Sequence, residues 1–119
     1  VNLYAENETQ YPERNLEDVI TKNPDIIVKL LGSSATLDDT TYSEYKNSLA
    51  GVAAADNDKI ILLNNECGTT AIGAIIGRLY IAKFAYPELF ADVDVDAVYN
   101  KLCTEFFGKE YIGSGAYFK

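Results

Sequence analysis

Runs of apolar residues separated by polar stretches predict that strands and helices alternate along this chain. Three of the runs are short: VNLYA at residues 1–5, DIIVKLL at residues 25–31 and KIILLN at residues 59–64. The second and third have the nearly unbroken apolar character of strands buried on both faces, which is typical of parallel sheets. We therefore expect a mostly parallel sheet of short strands.

Helix signals fill the segments between these strands. Asn15 is the predicted N-cap of a short amphipathic helix, NLEDVITKN, which ends before Pro24. Between residue 41 and about residue 55, large apolar residues at helical spacing predict a second helix: Tyr42, Tyr45, Leu49 and Val52. The polar segment ADNDK then predicts a break before the strand KIILLN.

The segment TTAIGAIIGRLYIAKFAYP predicts a helix of about 17 residues. Its only charges are Arg78 and Lys83, so we expect this helix to be buried around most of its circumference. Gly73 and Gly77 are expected to permit close packing. The same glycines fit a small-residue membrane motif, but the charges and the short length favour a core helix.

Asp94 is the predicted cap of a last helix, VDAVYNKLCTEFFG, which ends at Gly108. One face of this helix is predicted to carry Val95, Val98, Leu102 and Phe106. The tail KEYIGSGAYFK follows. This order of elements predicts one domain over residues 1–119: a three-layer, Rossmann-like α/β lobe whose mostly parallel sheet is flanked by helices.

Composition removes several classes of function. The chain has 119 residues, with 10 basic against 18 acidic side chains and a net charge of -8, which opposes binding to nucleic acid or anionic lipid. No apolar run reaches the roughly 18 residues that a membrane span needs. Because the sequence contains no Met, not even at its start, we expect it to be part of a longer protein.

The absence of His removes the commonest metal ligand and the usual proton shuttle of hydrolases. Carboxylate clusters such as Asp92, Asp94 and Asp96 are typical of helix starts and solvated turns. We therefore expect no enzyme, no cofactor and no metal site. Nucleotide binding is not expected either, since GSSAT lacks the Lys of a P-loop and GTTAIG is not a dinucleotide-binding glycine motif.

Ligands of α/β sheets bind the loops beyond the carboxyl ends of the strands. Here these loops are residues 6–11, 32–36 and 64–70, all rich in hydrogen-bonding groups. The candidate ligand-binding residues are Glu6, Asn7, Tyr11, Ser33, Ser34, Asn64 and Asn65. Tyr11, with Tyr4, flanks the first loop, where core or rim packing is the alternative to ligand contact.

Three stretches together resemble the carboxy-terminal lobe of class III periplasmic substrate-binding proteins, which serve ABC importers of iron-siderophores, haem and vitamin B12. They are YPERNLEDVITKNPDIIV, AADNDKIILLNN and RLYIAKFAYPELFADVDVDAVYNKLCTEFFG. The resemblance implies a ligand cleft whose second wall is a missing amino-terminal lobe. It also implies an ABC permease as partner and an extracytoplasmic location, periplasmic or at the cell surface, with a lipid anchor outside this chain.

The chain departs from this family in one respect, because its loops contain no Arg except Arg14 at a margin. Carboxylate-rich siderophores are therefore less expected than other iron chelates, haem or a corrinoid such as cobalamin. The alternative to an importer component is a stand-alone extracellular interaction or scaffold domain that uses the same lobe.

Glu66 is a lone charge where an apolar strand gives way to a helix. One interpretation is that its carboxylate compensates the positive end of a helix beginning near Thr69 or Thr70. In the family, however, a glutamate between the last sheet strand and the following long helix pairs with arginines of the permease. Glu66 matches that placement, so the resemblance implies a permease-docking role.

Cys67 and Cys103 allow two interpretations. A disulfide between them would close a long loop and stabilise the fold by on the order of 4 kcal/mol, but it requires proximity that the sequence cannot show. Two thiols without His make a poor metal site, and a buried free thiol is ordinary. We favour two free thiols.

Overall fold

The structure, a computed structural model, describes residues 15–111 and 113–119. Within this part of the chain it contains six helices and three strands, in the order α1 (Leu16–Lys22), β1 (Ile27–Leu30), α2 (Asp39–Ser48), α3 (Ala53–Asp56), β2 (Ile60–Leu63), α4 (Glu66–Thr69), α5 (Ala71–Ala85), α6 (Val95–Phe107) and β3 (Ala116–Phe118). The predicted first strand, VNLYA, and the loop with Glu6, Asn7 and Tyr11 lie outside the described residues.

The three strands form one mixed sheet in the order β1-β2-β3. β1 and β2 are parallel, with Leu30 opposite Leu63, as the two apolar runs predicted. β3 lies antiparallel to β2 and pairs Phe118 with Ile61. The sequence did not predict β3, because its three residues are too few to show an alternation. The fold is mixed α/β.

The core forms on both sides of β2, because successive side chains of a strand point to opposite faces. Ile60 and Leu62 belong to one apolar cluster, which includes Tyr42 of α2. Ile61 and Leu63 belong to a second cluster, which α5 and α6 complete. All four β2 side chains are buried, as predicted.

β1 is not buried on both faces, and that prediction was wrong. Ile27 is buried, whereas Val28 remains 44% exposed and Leu30 40% exposed. Their register places Val28 and Leu30 on the same face of the sheet as Ile61 and Leu63. α5 packs against β2 and β3 on that face and does not extend over β1, so these two side chains stay exposed.

The predicted helix between residues 41 and 55 is in fact two helices, α2 and α3. α2 ends at Ser48, and Val52 donates its N–H to the carbonyl of Leu49 in the turn that follows. Gly51 has a φ of 88°, a conformation that interrupts a helix and that glycine adopts at little cost. Most of the predicted stripe is nevertheless correct: Tyr42, Leu49 and Val52 are buried, and Tyr45 is half-buried.

The helix after β2 begins at Ala71 and is capped by Thr70, whose hydroxyl accepts the N–H of Gly73. Close packing at the glycines is confirmed. A Cβ added at Gly73 or Gly77 would lie closer than 3.0 Å to a carbonyl oxygen of α4. Burial around most of the circumference is also confirmed, because the residues of this helix are buried or half-buried except for one narrow stripe, which consists of Ala71, Ile75 and Arg78.

The helix caps were predicted correctly. Asn15 accepts the N–H of Asp18 at 2.8 Å, and Asp94 accepts the N–H of Ala97 at 3.0 Å. Gly108 ends α6 in a left-handed conformation.

The predicted apolar face of α6 was only partly correct. Val95 is buried and Leu102 is half-buried, but Val98 and Phe106 are exposed. Tyr99 is buried instead, since it lies one helical turn after Val95 and faces the second cluster. None of the helices among the described residues is long and apolar enough to cross a membrane.

Candidate functional site

The loops that follow β1 and β2 leave the sheet at the same edge, because these strands are parallel and in register. Ser33 and Ser34 are exposed in the first loop. The second loop folds into α4, which lies against the end of β1: a Cβ added at Gly68 would be 2.7 Å from a methyl carbon of Leu30. Four of the predicted ligand-binding residues therefore follow the carboxyl ends of two neighbouring parallel strands: Ser33, Ser34, Asn64 and Asn65.

Asn64 holds the corner between β2 and α4. Its side-chain oxygen accepts the N–H of Cys67 at 3.0 Å, and its amide nitrogen donates to the hydroxyl of Tyr111 at 2.9 Å. Its backbone N–H donates to the carbonyl of Gly115 at 2.9 Å. The adjacent Asn65 accepts the hydroxyl of Thr69 on its carbonyl at 2.8 Å. Both residues are half-buried, and their contact with a ligand stays a prediction.

Glu66 faces Tyr99. It is exposed at the first position of α4, and its Oε2 accepts the Tyr99 hydroxyl at 3.3 Å. The Tyr99 ring stacks on the Tyr111 ring with 3.9 Å between the ring centroids. Tyr111 is itself held by its backbone N–H, which donates to Asn100 at 2.8 Å. The Glu66 carboxylate thus stands on a corner braced by α6 and by the segment that follows it.

The helix-end interpretation of Glu66 needs one correction. The helix that begins near Thr70 is α5, and Glu66 lies one short helix before it, in the first turn of α4. A carboxylate in a first helical turn is favourable in either case.

Burial keeps the two stacked phenols neutral. Burial is the main cause that raises the pKa of Tyr99, and the nearby Cys67, Tyr111 and Glu66 raise it further. Burial also raises the pKa of Tyr111. Both hydroxyls therefore keep their protons well above neutral pH, and Tyr99 remains a hydrogen-bond donor to Glu66.

A cleft of about 470 Å³ opens beside Glu66, between the start of α5 and the end of α6. We call it the edge cleft. Its walls are formed by Glu66, Thr70, Ile72, Gly73, Tyr99, Cys103, Phe107, Lys109, Glu110 and Tyr111. Its size falls in the range of small-ligand sites. The sequence did not predict Tyr99 and Tyr111 as part of this site; helical spacing from Val95 could have indicated Tyr99, but no pattern indicated Tyr111.

A second cleft of about 470 Å³ lies away from the predicted site residues. It is lined by Tyr80, Lys83, the segment 91–96, Ser114 and β3. The Tyr80 hydroxyl donates to Asp96 and accepts the N–H of Gly115, which joins this wall together. Residues 15–111 and 113–119 contain no group of three or more His, Cys, Asp or Glu side chains placed to hold a metal ion.

Both cysteines are free thiols, as predicted. Cys67 is buried in α4, and its Sγ lies 3.6 Å from the carbonyl oxygen of Gly115. Burial, followed by the charge of Glu66, raises the pKa of Cys67 to about 11. Cys103 is half-buried and lines the edge cleft.

We expect Cys103 to react with iodoacetamide before Cys67 in the native protein at pH 8. Thiolate is the reactive form, and a pKa of about 11 leaves only about one Cys67 side chain in a thousand ionised at that pH. Mass spectrometry of peptides sampled over time measures both rates. In urea the two cysteines should react at similar rates, and equal rates in the native protein would contradict the buried position of Cys67.

No protein-family model matches the chain, and no curated protein sequence matches it. The function of the carboxyl edge is therefore inferred from its own residues.

Proposed function

We propose that this chain is the carboxy-terminal lobe of a class III periplasmic substrate-binding protein, the ligand-capturing component of an ABC importer for an iron chelate, haem, cobalamin or a similar metal complex. The observation that carries this proposal is the parallel pair of β1 and β2, whose following loops meet at one edge. Such an edge is where α/β sheets bind ligands. In this proposal α2 and α3 on one face and α4 to α6 on the other are the outer layers of a three-layer, Rossmann-like lobe.

The chain would bind its ligand without chemistry of its own. Ser33 and Ser34 are exposed at the carboxyl edge and offer hydroxyls, and the half-buried Asn65 lies in the loop after β2. A missing amino-terminal lobe would supply the other wall of the ligand cleft. The sequence contains no His, which supports a binding role over a catalytic one.

The partner in this proposal is an ABC permease, and Glu66 is the docking residue. An exposed carboxylate on a rigid corner suits this role, because charges at the rim of an interface steer the encounter and fix its register more than they add affinity. The full-length protein would work outside the cytoplasm, in the periplasm or at the cell surface, held by a lipid anchor outside this chain.

We expect Glu66→Gln in the full-length protein to slow docking on the permease while leaving folding nearly unchanged. Gln removes the charge but keeps an oxygen that can accept the Tyr99 hydroxyl, and Glu66 is exposed. Surface plasmon resonance on nanodisc-embedded permease, at low and moderate salt, measures the association rate. The wild type should lose more rate with added salt than the variant does.

Glu88→Gln is the matched control, because Glu88 is exposed and lies between α5 and α6, away from the edge cleft. It should dock as the wild type does. If Glu66→Gln and the wild type dock at the same rate at both salt concentrations, Glu66 serves only as a helix-end charge and the docking role is wrong.

A further inference from the structure

β3 is an outer strand of the described sheet, and the register shows which of its backbone groups point away from β2. The carbonyls of Lys59 and Leu63 accept hydrogen bonds from β1. Ile61 lies midway between them, so its backbone groups face β1 too. Phe118 is paired with Ile61 and Ala116 with Leu63. Both residues of β3 therefore direct their N–H and carbonyl groups to the outer edge.

The Ser114 side chain covers this edge beside Ala116. Its hydroxyl accepts the N–H of Ala116 at 3.3 Å and donates to the carbonyl of the same residue at 2.9 Å. These are the two bonds that a neighbouring strand would make. No side chain or loop among residues 15–111 and 113–119 makes them to Phe118, which is 36% exposed. One N–H and one carbonyl of β3 are therefore open to a further strand.

The cleft of about 470 Å³ that is lined by β3 and the segment 91–96 runs along this edge. All three residues of β3 line it, although consecutive side chains of a strand point to opposite faces. The cleft therefore lies beside the strand and not over one face of the sheet. Val93 and Val95 anchor its opposite wall in the second cluster, so this wall stands on the face that carries α5. We call this cleft the β3 groove.

Carboxylates occupy every second position of the opposite wall. Asp92, Asp94 and Asp96 are all exposed, and all three line the groove. Lys83 is the single cation among the described residues that line it, and its ammonium group donates to the carbonyl of Val93. The net charge of -8 adds to the negative potential. The groove therefore favours a cationic partner.

We propose that the β3 groove binds an extended segment of a partner protein that carries basic residues at every second position. The segment adds to the sheet as a strand beside β3 and bonds to the N–H and the carbonyl of Phe118. Because side chains of a strand alternate between faces, every second side chain meets the carboxylates of the wall. In this mode of recognition the main-chain bonds give affinity and the alternate side chains give specificity.

This surface is separate from the proposed docking residue. The β3 groove and the edge cleft, which contains Glu66, share no lining residue. The inference therefore adds a second partner surface and does not depend on the importer role.

The test uses this chain with blocked peptides as probes. Acetyl-TKTKTK-amide is titrated to millimolar concentration into the isotope-labelled protein, and NMR shifts report the residues that it contacts. We expect saturable shifts at Phe118 and along the segment 91–96, together with slower solvent exchange of the Phe118 N–H. Acetyl-TETETE-amide, which has the same pattern and the opposite charge, should not bind.

Two N-methylated isomers of the basic peptide test strand addition itself. One isomer carries methyl groups on the backbone nitrogens of its threonines, and the other carries them on the backbone nitrogens of its lysines. In a strand the N–H groups of alternate residues face the same neighbour, so one isomer should lose binding while the other keeps it. A contact made by charge alone would bind both isomers equally.

Asp92→Asn and Glu88→Gln form the matched pair of variants. Both carboxylates are exposed, but only Asp92 lines the groove. Asp92→Asn should weaken binding of the basic peptide about twofold to fivefold, the range that one exposed ion pair supplies. Glu88→Gln should bind as the wild type does, and both variants should unfold at the wild-type temperature.

Each of five results would overturn the proposal. The basic peptide gives no saturable shift, the acidic peptide binds equally well, the two methylated isomers bind equally, or the two carboxylate variants bind equally. The fifth result is a set of shifts at Val28 and Leu30 in place of Phe118, which would put the segment on the outer edge of β1.

Discussion

Gly73→Ala should destabilise the protein by about 3 kcal/mol, the upper end of the usual range for overpacking, because the added methyl group has no room between α4 and α5. Its Cβ would lie closer than 3.0 Å to the carbonyl oxygen of Glu66 and to the hydroxyl oxygen of Thr70. The first belongs to the backbone of α4, and the second caps α5. Neither oxygen can move without disrupting the packing of α4 on α5. The better helix propensity of Ala offsets only about 1 kcal/mol.

Gly68→Ala is the control for this prediction. A Cβ at Gly68 meets the terminal methyl groups of Leu30, a flexible and partly exposed side chain that can turn away. Urea unfolding followed by circular dichroism should therefore show less than half the loss found for Gly73→Ala. Wild-type stability of Gly73→Ala would mean that α4 moves freely on α5, which contradicts a rigid corner.

The protein should lose stability steeply in alkali, above about pH 9. Burial, then the charge of Asp58, raises the pKa of Tyr42 to about 12, and burial raises the pKa of Cys67 to about 11. Burial also raises the pKa of Tyr80 and of Tyr99. In the unfolded chain the same groups ionise near 10.0 for tyrosine and 9.0 for cysteine.

The sign follows from linkage between ionisation and folding. Below the pKa values of the unfolded chain, all four groups are neutral in both states, so their contribution to the free energy of unfolding is fully present. As the pH rises through these values, the groups ionise first in the unfolded chain. The free energy of unfolding therefore falls until the same groups ionise in the folded state too. Each pKa unit is worth about 1.4 kcal/mol, so Tyr42 and Cys67 alone account for a loss of about 3 kcal/mol between pH 9 and pH 11.

Urea unfolding at pH 7, 9 and 11 measures this loss, and tyrosinate absorbance follows the ionisation. Tyr42→Phe should show a shallower fall between pH 9 and pH 11, because one buried phenol is absent. The same variant also loses the hydrogen bond from Tyr42 to Asp58, so it should be less stable than the wild type at pH 7. A free energy of unfolding unchanged up to pH 11 would contradict the burial of these groups.

The parts of the fold that were predictable from sequence are those with strong local signals. KIILLN is apolar without a break and forms the central strand. Asn15, Thr70 and Asp94 each cap a helix, and capping depends on residues only three positions apart.

The wrong predictions concern features that distant parts of the chain decide. The exposure of Val28 depends on how far α5 extends across the sheet. The residues that flank Val28 in the sequence do not reveal where α5 ends. The break between α2 and α3 is the exception, because its signal is local: Gly51 has a φ of 88° in the turn after α2, while the apolar stripe continues through that turn.

The candidate site shows the same division. Glu66 was identifiable as a lone charge at a strand-to-helix corner. Its contacts were not identifiable, because Tyr99 and Tyr111 come from a later helix and from an irregular segment. Only the packing of α6 beside α4 and α5 brings these residues together.

The pairing of β3 with β2 has a consequence for the order of folding. β1, α2, α3 and β2 are consecutive, so their contacts close short loops, whereas Ile61 must find Phe118 across nearly half of the chain. Long loops cost more entropy to close, and contacts distant in sequence slow folding. We therefore expect β3 to join the sheet late. Asn64 donates its hydrogen bonds to the Tyr111 hydroxyl and the Gly115 carbonyl only at that stage, so the corner that presents Glu66 is completed by the slowest step of folding.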